Sequence, residues 1–363
     1  MDIERKIELI KRLPTEEIVT EQELKELLET KDHPIAYNGW EPSGLVHLGT
    51  GLICSYKMKD LIEAGCRFKI YLACWHAFIN NKLGGDMEKI RKAAEHFLHS
   101  WLACGVPQNK IEVIWPEEEY DISYWEKVIR IAKQLTLLRA RRTLEIAGRK
   151  EWEAKNVAYL MYTPMQVADI FQFEVDICQL GRDQRAANMV AREVGPKLGF
   201  WKPVAVHLHL LQGLAKPSVW PLPKNEKERR EIIASVKMSK SKPETCVFIY
   251  DEPEAIRRKI LNAFCPEREA EFNPILDIVK YIIFREKKIF EVEREEKYGG
   301  TIQFNSFEEV EKTFKEGNLH PLDLKNAVAN ELIEILEPVR KYFEKNKKAK
   351  ELLEFMKKVV ITR

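Results

Sequence analysis

Two short motifs in the sequence have the residue types that a polyphosphate site needs. The first, His47-Leu48-Gly49-Thr50, follows a glycine-bearing turn and stands at the predicted start of a helix. Backbone N–H groups and the helix dipole favour a bound polyphosphate at such a position, and Gly49 allows a nucleotide to approach the backbone closely. The alternative is a helix start at which His47 only caps or packs, so this motif alone does not decide the chemistry.

The second motif is Lys237-Met238-Ser239-Lys240-Ser241-Lys242-Pro243, which places three lysines and two hydroxyl groups in seven residues. A mobile loop of this composition can fold over a phosphate chain and stabilise the charge that develops on it. The alternative is an exposed basic loop without a ligand. The occurrence of both motifs in this order favours a nucleotide site.

Together the two motifs resemble the signatures of class I aminoacyl-tRNA synthetases. Four further segments narrow the resemblance to the archaeal-type tyrosyl-tRNA synthetases over nearly the whole chain: 37–44, 165–170, Cys265-Pro266 and 320–328. The resemblance implies that L-tyrosine is activated with ATP and Mg²⁺ to tyrosyl-adenylate and then transferred to the 3′ end of tRNA(Tyr). No covalent protein nucleophile is needed for either step.

The resemblance also implies a set of tyrosine-binding residues. These are Tyr37 and Asp169 at the phenolic hydroxyl group, Tyr162, Gln166 and Gln184 at the α-amino group, and Gly39 and His76 in the lining. His76 is a lone loop histidine in this prediction, and such a residue is as often structural. A buried, unpaired Asp169 would be costly in a mostly apolar helix, so a polar ligand is an economical explanation for it.

Local sequence provides a separate test of this assignment. Thr163-Pro164-Met165-Gln166 has the pattern of an N-cap, a proline at the first helical position and a capping-box glutamine, so we predict that a helix starts at Thr163. Gln166 and Asp169 then project from one face, with Tyr162 just before the helix. The alternative for Gln166 is that it only completes the capping box.

The resemblance implies an ATP site that includes both motifs, with magnesium held through the phosphates rather than by a carboxylate cage. Its residues are Glu41, His47, Gly49, Thr50, Asp183, Lys237, Met238, Ser239, Lys240 and Ser241, of which His47, Thr50, Lys237 and Lys240 are predicted to be catalytic. Thr50 replaces the second histidine of the usual HxGH motif, as in the archaeal branch, and must donate a hydroxyl hydrogen bond instead. Asp183 could hold the ribose hydroxyls, or it could be a turn residue or the N-cap of the next helix.

Transfer to tRNA requires an RNA-binding surface as well. Tyr298, His320 and Asp323 are the anticodon candidates, because a planar ring can stack on an unstacked base and a carboxylate can accept from its amino group. His320 and Asp323 could instead form the start and N-cap of a long C-terminal helix. The resemblance also implies a homodimer, with the segment around 115–165 as the interface.

The elements that must position these residues alternate between strands and helices up to about residue 210. Strand candidates at 35–37, 68–73, 111–114, 175–180 and 204–211 predict a doubly wound, Rossmann-like parallel α/β sheet, in which ligands bind at the carboxyl ends of strands. The predicted domains are a catalytic domain at 1–236 with a helical insertion at 115–165, the motif loop and linker at 237–252, and a mostly helical anticodon-binding domain at 253–363. Predicted C-terminal helices include 322–343, and an insertion at 216–231 precedes the lysine-rich loop.

Composition limits the remaining possibilities. The chain has 59 Lys and Arg against 57 Asp and Glu, so net charge alone predicts no attraction to nucleic acid. Seven scattered cysteines without a CxxC pair argue against a disulfide framework or zinc site, and no apolar segment is long enough for export or membrane insertion. We therefore expect a cytoplasmic protein.

Two other functions remain to be separated from this one. Tryptophanyl-tRNA synthetases share the predicted architecture, but an indole has no phenolic hydroxyl for Asp169 and Tyr37 to bind. A synthetase-like protein that only binds structured RNA would not need both nucleotide motifs.

Overall fold

The computed structural model describes residues 1–148, 156–225, 228–229, 232, 236–240 and 242–359. The chain divides into two units. The first unit consists of Met1–Gly44, Cys54–His209 and Glu354–Arg363, and the second of Leu45–Ile53 and Leu210–Leu353. The predicted boundaries at residues 236 and 252 remain predictions.

A six-stranded sheet forms the centre of the first unit. Its strands are β1 (Thr15–Val19), β2 (Ile35–Trp40), β3 (Arg67–Leu72), β4 (Ile111–Ile114), β5 (Ile177–Gly181) and β6 (Val204–Leu208), in the order β1-β6-β5-β2-β3-β4. Strands β2 to β6 pair in parallel. The doubly wound α/β prediction is therefore confirmed, and strand order reverses between β2 and β5, where such sheets bind ligands.

The sheet is mixed rather than purely parallel, because β1 pairs antiparallel with β6. Our sequence analysis missed β1. The parallel strands are recognisable because burial on both faces requires apolar runs, as in β6, which is buried along its whole length. Strand β1 carries Glu16 and Glu17 and is only partly buried, so its sequence lacks that pattern.

Helices cover the sheet and connect its strands. Along the chain of the first unit they are Ile3–Lys11, Glu21–Thr30, Cys54–Glu63, Cys74–Ile79, Met87–Ala103, Pro116–Glu119, Ile122–Ala132, Leu137–Arg142, Ala158–Gln172 and Arg185–Lys197. Short 3₁₀ turns at Lys82–Gly85, Gln108–Lys110, Thr143–Ala147 and Arg182–Gln184 complete the connections.

The second unit is mostly helical. Its segment Gly49–Ile53 is a π-helical turn, and its later helices are Pro253–Leu261, Pro274–Ile278, Val279–Ile283 (also π), Phe284–Glu286, Phe307–Glu316, Pro321–Ile335 and Glu337–Lys345, before the last helix of the chain, Lys347–Lys358. Two strands, β7 (Phe290–Val292) and β8 (Ile302–Phe304), pair to form an antiparallel sheet.

The prediction of a single helix at 322–343 was wrong. The chain forms two helices, Pro321–Ile335 and Glu337–Lys345, with Leu336 between them. Pro338 explains the break, since it has no N–H group to donate to the preceding turn. Within the described ranges, no helix has both the length and the apolar character needed to cross a bilayer.

Candidate functional site

Five of the predicted tyrosine-site residues lie on helices or turns beside β2 and β5. The helix that carries Tyr162, Gln166 and Asp169 begins at Ala158 rather than at Thr163, and Pro164 lies inside it. The residues from Tyr162 to Phe171 are all buried, so packing of this helix outweighs the hydrogen bond that Pro164 cannot make. Gln166 is consequently no capping-box residue.

Asp169 is surrounded by tyrosine hydroxyl groups. Its Oδ1 accepts hydrogen bonds from the hydroxyl of Tyr120 at 2.8 Å and from that of Tyr124 at 3.1 Å. The Tyr71 hydroxyl lies 2.5 Å from that of Tyr120, and the rings of Tyr120 and Tyr124 stack with centroids 3.7 Å apart. The predicted partner Tyr37 is buried in the same apolar cluster.

Sequence analysis missed Tyr71, Tyr120 and Tyr124. Tyr71 belongs to β3, Tyr120 precedes the Ile122–Ala132 helix and Tyr124 lies in its first turn, next to the N-cap Asp121. Because Tyr120 lies outside the Ile122–Ala132 helix, helical spacing does not relate it to Tyr124, and the sequence holds no local signal that the two rings share a direction. Close packing in this cluster explains the glycine at position 39. A β-carbon on Gly39 would lie 3.3 Å from the rings of both Tyr37 and Tyr71.

Burial raises the pKa of Asp169 to about 8, although the hydrogen bonds from Tyr120 and Tyr124 act in the opposite direction. Burial lowers the pKa of His76 to about 4, so this histidine is neutral at pH 7. His76 Nε2 lies 3.6 Å from Asp169 Oδ2, which is therefore a close polar contact rather than an ion pair. His76 lies in the Cys74–Ile79 helix, not in a loop as predicted.

The raised pKa predicts that Asp169 destabilises the folded state, by an amount that depends on pH. Its ordinary pKa is 3.8, so the folded state holds the proton more tightly, and Asp169 lowers the free energy of unfolding progressively from about pH 4 to pH 8. We expect Asp169→Asn to gain stability relative to wild type over this range, by at most about 1.4 kcal/mol per pH unit, with no further gain above pH 8. Parallel denaturant titrations at several pH values measure the difference. A pH-independent difference would contradict the prediction.

Two of the three α-amino candidates, Gln166 and Gln184, are joined by a hydrogen bond. Gln166 Nε2 donates to Gln184 Oε1 at 3.1 Å, and Gln184 Nε2 donates to the Ile146 carbonyl at 2.8 Å. The Oε1 atom of Gln166 is buried and has no hydrogen-bond partner among the described residues. An ammonium group would satisfy such an acceptor, and an unpaired buried amide oxygen otherwise costs stability.

Glu41, which follows β2, contacts Tyr162, the third α-amino candidate. Its Oε1 accepts from Asn80 Nδ2 at 2.7 Å and from the Tyr162 hydroxyl at 3.4 Å, while its Oε2 lies 3.5 Å from Lys82 Nζ. The ring of Tyr162 packs edge-on against His76, with centroids 4.7 Å apart. Asp183 lies in the Arg182–Gln184 turn after β5, and the N-cap of the next helix is Gln184, so Asp183 is not the cap.

In the second unit, His47 is fixed by hydrogen bonds to its own turn. Its Nδ1 accepts from the Gly49 backbone N–H at 3.1 Å, and its Nε2 lies 3.3 Å from Thr50 Oγ1. This pattern places the ring proton on Nε2, which donates to Thr50. Burial, together with the charges of Lys240 and Lys237, lowers the pKa of His47 to about 3, so the ring is neutral.

Backbone hydrogen bonds hold the lysine-rich loop against the segment at Leu211 and the His47 turn against the segment at Val247. The Met238 N–H donates to the Leu211 carbonyl at 2.7 Å, and the Leu48 N–H donates to the Val247 carbonyl at 3.0 Å. Gly51 permits close packing there, because a β-carbon at this position would overlap the Ile249 side chain. The charges of Lys240 and Lys237 act on His47, as its lowered pKa shows. Ser239 is described in this loop, whereas Ser241 lies outside the described residues.

The anticodon candidates are also in the second unit. Tyr298 is 62% exposed. His320 is the N-cap of the Pro321–Ile335 helix, where its Nδ1 accepts from the Leu322 N–H at 3.2 Å. Asp323 lies in the first turn, where a carboxylate complements the helix dipole. The capping alternative is thus realised for His320, while Tyr298 has an exposed ring.

Comparison with known proteins agrees with this geometry. Residues 29–337 match the family described as tRNA synthetases class I (W and Y), and the chain belongs to this family. The predicted family resemblance is confirmed. The chain is 49% identical to the tyrosine–tRNA ligase of Thermococcus kodakarensis, over 100% of both chains.

Solved structures give the same result. The tyrosyl-tRNA synthetase of Pyrococcus horikoshii complexed with L-tyrosine matches with a TM-score of 0.92 and 46% identity, over 98% of this chain and 100% of that one. The enzyme of Aeropyrum pernix has a TM-score of 0.85 and 42% identity, over 98% and 99% of the two chains. A tryptophanyl-tRNA synthetase of Aeropyrum pernix, at 17% identity and a TM-score of 0.68, over 94% of this chain and 85% of that one, shares the fold alone.

Proposed function

We infer that this chain is a tyrosine–tRNA ligase that activates L-tyrosine with ATP and transfers the tyrosyl group to tRNA(Tyr). The observation that carries the inference is the buried carboxyl group of Asp169, which accepts hydrogen bonds from two tyrosine hydroxyls beside the apolar cluster that contains Tyr37. Burial raises the pKa of this acid to about 8 even with two hydroxyl donors, so its position is costly for folding, and a phenolic hydroxyl group is a ligand that it can bind.

In the proposed first step, the tyrosine carboxylate attacks the α-phosphate of ATP and pyrophosphate leaves. Lys237 and Lys240 stabilise the charge on the leaving phosphates, and the neutral His47 supplies a single N–H donor rather than a charge. Tyr162, Gln166 and Gln184 orient the α-amino group, while Asp183 holds the ribose. In the second step the terminal ribose hydroxyl of tRNA attacks the acyl carbon of tyrosyl-adenylate, the acyl–phosphate bond breaks and AMP leaves.

In this scheme magnesium enters the site bound to ATP. Among the described residues, no group of three or more histidine, cysteine, aspartate or glutamate side chains could hold a metal ion. Magnesium commonly binds through substrate phosphates and water, where it neutralises phosphate charge. We further propose a cytoplasmic location, since all seven cysteines are free thiols.

Tyrosine-dependent exchange of pyrophosphate into ATP tests the proposal. We expect the protein to catalyse exchange with tyrosine and to show little exchange with tryptophan or without an amino acid. Preference for tryptophan would indicate the tryptophan enzyme. Binding of tRNA without exchange by any amino acid would indicate a protein that only binds RNA.

Asp323 provides a test of the anticodon hypothesis. We expect Asp323→Ala to reduce tRNA charging by about 10-fold or more, since one lost base contact costs about 1–3 kcal/mol, and to leave pyrophosphate exchange unchanged. Aminoacylation and exchange assays on the same preparation measure the two steps. Equal losses in both assays would mean that Asp323 supports folding instead.

A homodimer is proposed because one helix of the 115–165 segment exposes large apolar side chains. Ile122, Trp125 and Ile129 are exposed on the Ile122–Ala132 helix, at the three- and four-residue spacing of a single face. Leu137 and Leu138, on the following helix, are exposed as well. A second copy of the chain would cover this surface.

We expect Ile129→Asp to convert the dimer to monomer, because a charge at an apolar interface must be desolvated without a partner. Sedimentation at several concentrations measures this. Ile289→Asp is the matched control, since Ile289 is also exposed but lies in the second unit. A wild-type chain that sediments as a monomer at all concentrations would rule out the proposal.

A further inference from the structure

The edge strand β1 contains two consecutive glutamates at a β-bulge. Thr15 pairs with Leu208 and Glu17 with the adjacent His207, so Glu16 is the extra residue on β1. In a regular strand, consecutive side chains point to opposite faces, whereas a bulge redirects one of them. This bulge allows Glu16 and Glu17 to reach the same neighbouring turn.

Each glutamate binds one arginine and one histidine. Glu16 accepts from Arg182 Nη1 at 3.2 Å and lies 2.5 Å from His209 Nδ1. Glu17 accepts from Arg185 Nε at 2.9 Å and lies 2.7 Å from His207 Nδ1. The His207 Nε2 atom lies 3.0 Å from Asn188 Nδ2, which can only donate, so the ring proton is on Nδ1 and points to Glu17.

The two arginines flank the turn that holds the candidate substrate residues. Arg182 is the first residue of the Arg182–Gln184 turn, and Arg185 is the first residue of the following helix. Asp183 and Gln184, which we assign to ribose and α-amino group, lie between them. The turn is therefore held at both ends by carboxylates from β1.

Magnitudes favour a positional role over a stabilising one. The side chains of Arg182 and Arg185 are 61% and 47% exposed, and exposed ion pairs contribute little to the free energy of folding. Burial would raise the pKa values of Glu16 and Glu17, but the bonds to His209, Arg182, Arg185 and His207 outweigh it and keep both below their ordinary value. Both carboxylates are therefore ionised at neutral pH.

We propose that Glu16 and Glu17 are positioning residues that fix the Asp183–Gln184 turn for the binding of ATP and tyrosine. This rests on the proposed function. Neither glutamate touches substrate in this scheme. Their contribution is to hold two binding groups in one geometry before the substrates arrive, which lowers the cost of ordering them on binding.

The test compares Glu16→Gln, Glu17→Gln and their double variant with Glu23→Gln in pyrophosphate exchange. Glu23 is the matched control, because it also binds two cations, Arg192 at 2.5 Å and Lys202 at 2.6 Å, but makes no contact with the turn. We expect the double variant to raise KM for ATP or tyrosine by about 10-fold, because Asp183 and Gln184 must then be ordered when the substrates bind. Its kcat and melting temperature should stay near those of the control.

A double-mutant cycle with Arg182→Gln adds a readout that a general loss of structure would not produce. If Glu16 acts through Arg182, the two substitutions together raise KM no more than either one alone. Wild-type KM values in the double glutamate variant would overturn the proposal, as would a loss of activity that only parallels a lower melting temperature. Absence of tyrosine-dependent exchange in the wild type would instead refute the proposed function.

Discussion

Replacing Asp169 by Ala together with Tyr37 by Leu should abolish most of the preference for tyrosine over phenylalanine. Both side chains are buried, and the carboxyl group already accepts hydrogen bonds from Tyr120 and Tyr124. Because burial keeps the carboxyl group of Asp169 mostly protonated at neutral pH, each hydrogen bond contributes about 0.5–1.5 kcal/mol, and losing both should lower tyrosine activation by roughly 10- to 100-fold. Phenylalanine has no hydroxyl group at the para position, so its activation should change much less.

Pyrophosphate exchange with tyrosine and phenylalanine, run on wild type and on the double variant, measures the ratio directly. Phenylalanine serves as the internal control, since a general loss of folded protein would lower both activities equally. The single variant Asp169→Asn keeps the shape of the pocket and should give an intermediate ratio. A ratio that stays at its wild-type value would mean that Asp169 and Tyr37 are not the specificity pair, and tryptophan should be tested next.

Removal of Lys237 and Lys240 should slow adenylate formation far more than it weakens tyrosine binding. The charges of Lys240 and Lys237 help to lower the pKa of His47. The two lysines therefore make the surroundings of His47 in the second unit electropositive. Groups that stabilise charge developing in the transition state typically contribute about 10²–10³-fold in rate. We expect the double Ala variant to lose at least this much, with the dissociation constant of tyrosine nearly unchanged.

Single-turnover formation of tyrosyl-adenylate and equilibrium binding of tyrosine separate these two quantities. Lys242→Ala is the matched control, because Lys242 belongs to the same loop but has no predicted catalytic role. An unchanged forward rate in the double variant would refute the role of the loop. A parallel loss in the Lys242 variant would mean that the loop acts only through its total charge.

Much of this protein is determined locally by its sequence. The β2 to β3 unit could be predicted because apolar runs, a glycine-bearing turn and helical spacing occur within a short stretch of chain. The two nucleotide motifs are local in the same sense, since each consists of adjacent residues. Family resemblance then supplied the roles of Tyr37, Gln166 and Asp169, and those roles remain predictions.

Other features were decided only by tertiary packing. The helix that carries Asp169 starts before Pro164, because burial of one continuous apolar surface outweighs the local start signal at Thr163. The polar strand β1 has no apolar pattern and is held by pairing with β6.

The surroundings of Asp169 show the same limit most directly. Tyr71, Tyr120 and Tyr124 come from a strand, a connection and a helix that are separated along the chain, and they meet only in the folded first unit. Hydrogen bonds of this kind depend on distances between elements, which periodicity and propensity do not encode. The sequence determined which residues could do the chemistry, and the packed sheet and helices decided which hydroxyl groups surround the acid.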